Sequence, residues 1–345
     1  MLRPRAPGAG RQAFSCYIGA SRCDAPSDRL PGGRHGKDPF TREAPLSTSD
    51  VAPGSPDPAL DWAQSPAAET DRATTLSESL LAQHLDDSDV DLEVVVSTPS
   101  TNTDLVLRTR ERAPQRIVLR AASHQSAGRG RLGRLWQGSF AGSLLFSLAL
   151  PWRGDPAESA TVTLACGLAV VECLRAHDVP AQLKWPNDVL LGGRKLAGIL
   201  TETAEDPCGR RTLVIGMGLN LALEPAQRLA IGQPAAELAE IFGRTAVCAQ
   251  RELWLARCAR AMIDGALQFE RVGFASLRER FNACFAFLGK PVRLHAAGRA
   301  TLSGIARGVD ECGRLLIDSE GEPQAVISGE MSLRAEPPEE AAAGR

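Results

Sequence analysis

Between Gly128 and Arg134 the chain reads Gly-Arg-Gly-Arg-Leu-Gly-Arg, a run that suits neither a helix interior nor a strand interior. Glycine frees the backbone and weakens both elements, and clustered guanidinium groups repel one another unless anions or carboxylates face them. The segment is therefore expected as a loop that changes shape and presents several phosphate-binding forks. Apolar, strand-like runs flank it at 116–121 and 144–150, so the loop should hang from a sheet inside a folded domain.

The chain has 345 residues, enough for two or three compact units. Its 39 basic and 41 acidic side chains leave a net charge of -2, which gives no overall attraction to nucleic acid or to an anionic membrane. The nine cysteines are odd in number, widely spaced and free of any C-x-x-C pair, so reduced thiols in a cytoplasmic protein are expected. No apolar run reaches the roughly 20 residues of a membrane span, and the N-terminus lacks the apolar core of a secretory signal.

Residues 1–72 carry ten of the 23 prolines and no sustained apolar periodicity, so a disordered extension is expected there. Arg3, Arg5, Arg11 and Arg22 precede the first acid, Asp24, as in an organelle transit peptide, but Pro4 and Pro7 oppose an amphipathic helix; a start assigned too far upstream explains the segment equally well. Organised structure is expected from about residue 73. Leu76, Leu80, Leu81 and Leu85 recur at helical spacing before the Asp86-Asp87-Ser88-Asp89 stop.

Strands are expected at 92–96, 116–121, 144–150, 183–185, 189–191, 196–203 and 212–221, with a buried helix at 159–177 and two closing helices at 249–269 and 274–288. Beyond Gly289, short runs at 292–295, 300–306, 315–317 and 325–328 alternate with glycine-containing turns, the pattern of a small barrel. The fold class is thus α+β, a mixed central sheet with flanking helices over 73–288, followed by a small SH3-like β-barrel over 289–335 and a loose acidic tail over 336–345.

Read literally, Gly128, Gly130 and Gly133 spell G-x-G-x-x-G after a strand. A dinucleotide site needs a helix directly after the glycines, and here Leu135 to Ser139 leads toward another strand. An RGG-type RNA-binding segment would repeat in low-complexity surroundings, whereas this run occurs once. Three other blocks have both a bland and a chemical reading. Ser100-Thr101-Asn102 can simply cap a helix. Lys184-Trp185-Pro186-Asn187-Asp188 can be a strand end and turn, although Lys195, opening the apolar strand Lys-Leu-Ala-Gly-Ile-Leu, brings an ammonium toward the interior, where an anionic partner is required. Gly216 to Leu221 can be a strand with close backbone contacts.

Taken together, in this order and spacing, the blocks resemble those of the biotin protein ligases over about residues 95–335. The resemblance implies an ATP-dependent enzyme that activates biotin as biotinyl-5'-AMP and transfers it to a lysine of a biotin carboxyl carrier domain, in acetyl-CoA carboxylase or another biotin-dependent carboxylase. It assigns Ser100, Thr101, Asn102, Gln125, Arg129, Gly130, Arg131 and Lys195 to biotin. Gly128, Arg129, Arg131, Arg134, Trp136, Asn187, Asn220 and Arg334 go to the nucleotide, Arg334 having also the reading of a surface arginine near a terminus. Arg131, Lys195 and Asp188 are the catalytic candidates, Asp188 as a group that orients or deprotonates the acceptor amine. Magnesium is expected with ATP, and no protein ligands for it are identified. Lipoate or octanoate ligase is the nearest enzymatic alternative, and a biotin-responsive transcriptional regulator the non-enzymatic one. Leu132 stands where repressor-type members carry a further arginine, and nothing in residues 1–90 resembles a helix-turn-helix, so DNA is not an expected partner. A homodimer is a trait of the family rather than a reading of the residues.

Overall fold

The computed structural model describes residues 75–140, 142–296, 299–327 and 331–335, all within the compact unit Pro56–Arg345. The expected extension at 1–72 and tail at 336–345 lie outside the described residues. Helix α1 (Glu78–Leu85) is capped by Ser77 and ends at Asp86, and its Leu81 and Leu85 point into the core. There follow β1 (Val90–Thr98), α2 (Thr101–Glu111), β2 (Ile117–Gln125), β3 (Ser143–Trp152), α3 (Ser159–Arg175), β4 (Ala181–Lys184), β5 (Asp188–Leu191), β6 (Arg194–Glu205) and β7 (Arg211–Asn220). These seven strands form one sheet in the order β1-β2-β3-β7-β6-β5-β4. The β1–β2 pair is parallel and the other pairings are antiparallel, which makes the sheet mixed.

Alternation along the strands decides which face is buried against what. Leu144, Phe146, Leu148 and Leu150 of β3 and Leu213, Ile215, Met217 and Leu219 of β7 join the main core with α3 and with α7 (Arg251–Val272). On the opposite face, Leu105 and Val106 of α2 pack on Ala149, Val214 and Ala204. Helices α3 and α7 cross closely because Gly265 has no side chain; a Cβ there would stand 2.9 Å from Ala169 Cβ and 3.1 Å from the Ala165 carbonyl. The α3 helix and the turn before it, Pro156–Arg175, are by length and mean composition apolar enough to cross a membrane, although polar residues interrupt the apolar run. Ten of its residues are buried, however, so the apolar character serves the core.

Helices α4 (Pro225–Ile231), α5 (Ala239–Phe242) and α6 (Arg244–Ala249) occupy a stretch for which the sequence suggested no element. The helix expected at 274–288 is only α8 (Arg278–Cys284). Phe281 within it packs against Phe274 before it and Phe285 after it, and Phe285 in turn meets Phe287, so aromatic packing replaces helical continuity.

The last five strands are β8 (Pro291–Ala296), β9 (Arg299–Val309), β10 (Leu315–Ser319), β11 (Glu322–Val326) and β12 (Met331–Ala335). They make an antiparallel sheet in the order β11-β10-β9-β8-β12, open among the described residues. The fourth run thus begins at Glu322 rather than 325, and β12 was not anticipated as a strand. Asn282 ties β9 of this sheet to α8: its Nδ2 donates to Val309 O at 3.2 Å and its Oδ1 accepts from Val309 N at 2.8 Å.

Candidate functional site

The face of the large sheet that carries α2 becomes a cleft where its side chains vanish. Gly198 on β6 pairs with Gly218 on β7, and Leu200 with Gly216, so the floor is nearly bare backbone. A Cβ on Gly218 would lie inside the Trp136 indole, and one on Gly216 would collide with Asn102 Oδ1. These glycines are needed for space rather than for backbone conformation. The cavity above them measures about 860 Å³ and is lined by every expected site residue except Gly128.

At one end of the cleft α2 begins. Ser100 caps it, its hydroxyl accepting from Thr103 N at 3.4 Å, so the capping reading is correct. Thr101 and Asn102 sit in the first turn and face the floor, almost fully buried. Ser147 Oγ donates to Asn102 Oδ1 at 2.7 Å, and Asn102 Nδ2 donates to Glu202 Oε2 at 2.9 Å. The Thr101 and Ser147 hydroxyls lie 2.7 Å apart, and Thr101 N donates to Gln125 Oε1 at 2.7 Å. The triplet is thus both a helix cap and a fixed row of polar groups.

The Gly-Arg segment spans the cleft as a short hairpin. Gly130 N donates to Arg134 O at 2.7 Å and Trp136 N to Gly128 O at 2.8 Å, around a single 3₁₀ turn at Arg131–Gly133. Gly128 is excluded from the lining because it forms the neck of this hairpin; a Cβ on it would stand 2.7 Å from the Trp136 carbonyl. Leu132, with φ 59°, adopts a left-handed conformation that costs most side chains energy, and it is half-exposed. Arg129 forms an ion pair with Glu202, and Arg131 NH1 stands 3.5 Å from Asn187 Oδ1. Burial pulls Arg131 below its ordinary value and Arg134 adds to this, while Asp188 opposes it; guanidinium basicity is high enough that the charge survives. Trp136 lies across the glycine floor, with Lys195 Nζ 5.3 Å from its ring centroid.

Opposite the loop, β4, β5 and β6 bring Lys184, Asp188 and Lys195 together. Asp188 Oδ1 is 2.8 Å from Lys195 Nζ, and its Oδ2 is 3.4 Å from Lys184 Nζ. Burial pushes the Asp188 carboxyl up, but the two ammonium groups outweigh it and hold it below the usual carboxylate range. A carboxylate held low is a weak proton acceptor and is fixed in place by its two lysine partners. Asn187 closes its turn through Nδ2 to Ile199 O at 2.9 Å. Trp185, fully buried, donates from Nε1 to Gly313 O at 3.1 Å and so ties this block to the β9–β10 hairpin of the small sheet.

Beyond Lys195 the segment 234–236 runs beside β6, with Lys195 N donating to Pro234 O and Ala236 N to Lys195 O. Asn220 Nδ2 donates to Ala236 O at 3.0 Å, while its buried Oδ1 has no hydrogen-bond partner. Arg334 on β12 is exposed and reaches the cavity rim. Sequence reading passed over Lys184 and Ser147, which line the cleft, and Glu202, which lines a smaller cavity beside it. Lys184 lay within a quoted block, and as the cross-strand partner of Asp188 in the β4–β5 hairpin it shares that residue's face; Glu202 follows from Gly198 at i+4 on β6. Among the described residues no group of three or more metal-binding side chains occurs. Among the described residues the one acid lining the cavity is Asp188, already paired with two lysines.

Residues 94–220 match the Biotin/lipoate A/B protein ligase family, and residues 287–334 match the biotin protein ligase C-terminal domain. The chain is 33% identical over 245 residues to the biotin–acetyl-CoA-carboxylase ligase of Mycobacterium tuberculosis, covering 70% of this chain and 88% of that one. It is also 33% identical over 215 residues to the bifunctional ligase/repressor of Escherichia coli, covering 62% of this chain but only 65% of that protein's length. Among solved structures, the Aquifex aeolicus biotin protein ligase in complex with biotin and ATP superposes with a TM-score of 0.58 at 28% identity, covering 71% of this chain and 99% of the other. With the ordered motifs gathered around one cleft, these likenesses establish that the chain belongs to the biotin protein ligase family.

Proposed function

We propose that this protein is an ATP-dependent biotin protein ligase. The observation that carries the reading is that a single glycine-floored cleft unites the polar row at Thr101 and Asn102, the Gly-Arg hairpin and the Lys195–Asp188 pair. In the first half-reaction a biotin carboxylate oxygen attacks the α-phosphorus of ATP, and pyrophosphate leaves. Two anions must meet, and Lys195, Arg129 and Arg131 supply the positive charge that lowers the repulsion. Asp188 holds Lys195 and Lys184 in place, and Asn102, Thr101 and Gln125 offer the hydrogen-bonding groups that a ureido ring needs. Asn220, with its buried free carbonyl oxygen, and Arg134, Trp136, Asn187 and Arg334 flank the nucleotide end.

In the second half-reaction a lysine amine of a biotin carboxyl carrier domain attacks the acyl carbon; AMP leaves and the nitrogen loses a proton. The hairpin, with hinge glycines at 128, 130 and 133, would fold over the intermediate and keep water out. Magnesium fits this site as an ion carried by the ATP phosphates, which it would help neutralise, since among the described residues the carboxylate lining the cleft, Asp188, is already paired with two lysines. The reading extends to a catalytic domain over 73–288, a small domain over 289–335 whose sheet curls as an SH3-like barrel, cytoplasmic residence and a homodimer. The test is biotin-dependent exchange of labelled pyrophosphate into ATP, with lipoate and octanoate in parallel and Arg131→Ala as the site control. Exchange with biotin alone, lost in the variant, supports the reading; exchange driven by lipoate or octanoate, or by no acid, overturns it.

A further inference from the structure

Glu202 belongs to none of the sequence blocks, yet it sits where two of them meet. On β6 it shares the cleft face with Gly198 and Leu200, four and two residues away in the alternating register. Its Oε2 receives both Asn102 Nδ2, at 2.9 Å, and the Arg129 guanidinium. Asn102 has little freedom to do otherwise, because its Oδ1 is taken by Ser147 and the backbone at Gly216 lies directly beneath it. Arg129 is different: its side chain is 44% exposed and it rides on a glycine hinge. A second, smaller cavity of about 350 Å³ lies beside the hairpin, with Glu202 and Arg129 both in its wall.

We propose that Glu202 is a positioning residue that tethers the Gly-Arg hairpin to the Asn102 end of the cleft and releases it when an anionic ligand arrives. This rests on the ligase reading of the same site. The carboxylate gives Arg129 a resting partner, and a phosphate or carboxylate in the cleft competes for the same guanidinium fork. Glu202 is 29% exposed even with Arg129 in place, so once Arg129 turns to the ligand the carboxylate keeps its bond to Asn102 and water takes the place of the guanidinium. The occupied state of the cleft is thereby coupled to the position of the loop through one shared oxygen.

The test uses the full chain with Glu202→Gln and Glu202→Ala. Arg129, Arg131 and Arg134 are trypsin sites within the hairpin, so the ligand-free rate of cleavage there, located by mass spectrometry, reports the tether directly. A partly exposed ion pair of this kind predicts a rise of roughly two- to fivefold in both variants. On an Arg129→Ala background, cleavage after Arg131 and Arg134 should show no further rise. Biotin affinity measured by calorimetry should fall more in Glu202→Ala, which removes the acceptor for Asn102, than in Glu202→Gln, which retains an oxygen there. Unchanged cleavage in Glu202→Gln, or equal losses of affinity in the two variants, overturns the tether. Failure of the wild type to bind biotin would instead overturn the ligase reading, while the ligand-free cleavage still decides the tether.

Discussion

Asn102 and Arg129 reach the same carboxylate from opposite sides and are held very differently. Asn102 is 4% exposed, starts a capped helix and uses both ends of its amide in bonds of 2.7 and 2.9 Å. Arg129 is 44% exposed, lies on a hairpin with only a few backbone bonds, and is held at its tip by a charge pair. Buried, fully satisfied polar networks fix geometry, whereas exposed ion pairs contribute little stability and exchange partners readily. The floor is therefore built to be the same in every state of the protein and the hairpin to differ between them. Changes to the hairpin should be felt in the reaction, and changes to the floor in the fold.

The sharpest way to break that division is Arg131→Ala. Pyrophosphate exchange should fall about 10²- to 10³-fold, the usual loss of a group that stabilises developing charge, with the melting temperature nearly unchanged. A large drop in melting temperature would mean that the hairpin is structural after all. On the floor, Asp188→Asn leaves Lys184 and Lys195 facing each other. Breaking a buried pair costs about 3–5 kcal/mol, and the one-fifth exposure of these lysines should bring this below about 3 kcal/mol.

The same variant tests pH dependence. The folded value of Asp188 is held below the unfolded one of about 4, so its stabilisation is full above that pH and is lost as the pH falls through the lower folded value. Melting curves of the wild type should therefore steepen downward below about pH 4, and those of Asp188→Asn should do so less.

Gly218→Val forces Trp136 off the floor. Overpacking of this kind costs about 1–3 kcal/mol, and chemical denaturation should show it together with loss of biotin binding; binding at wild-type affinity would show that the indole has another resting place. The smallest effect is expected from Leu132→Gly. Relief of the left-handed backbone is largely offset by the added freedom of the unfolded chain, leaving a stability change under about 1 kcal/mol in a calorimetric melt.

The division also explains what the sequence could disclose. The Gly-Arg hairpin and the Lys-Trp-Pro-Asn-Asp turn stand out because their residue types are unusual for regular structure. Glu202 and Ser147 do not, because a Thr-Glu-Thr run or a serine in an apolar strand looks like the wet face of any sheet. Only the register that sets Glu202 beside Val214 and Ser147 beside Gly216 turns that face inward. Helices α4 to α6 escaped notice for a related reason: their short apolar stretches are held by Arg228–Glu237, Arg194–Glu240 and Arg244–Glu224 pairs across the loop, which no local periodicity records. Asp188 was legible as a site residue but its lowered basicity was not, since that depends on two lysines brought in by neighbouring strands.

The bond from Trp185 Nε1 to Gly313 O makes the small sheet a fitted part rather than a passenger. A chimera that joined this chain to the terminal sheet of a relative near Gly289 would have to present a carbonyl at the same place in its β9–β10 turn. Without one, a fully buried indole N–H would lose its acceptor beside Pro186 and Asn187, and the fault would surface in the cleft, far from the splice.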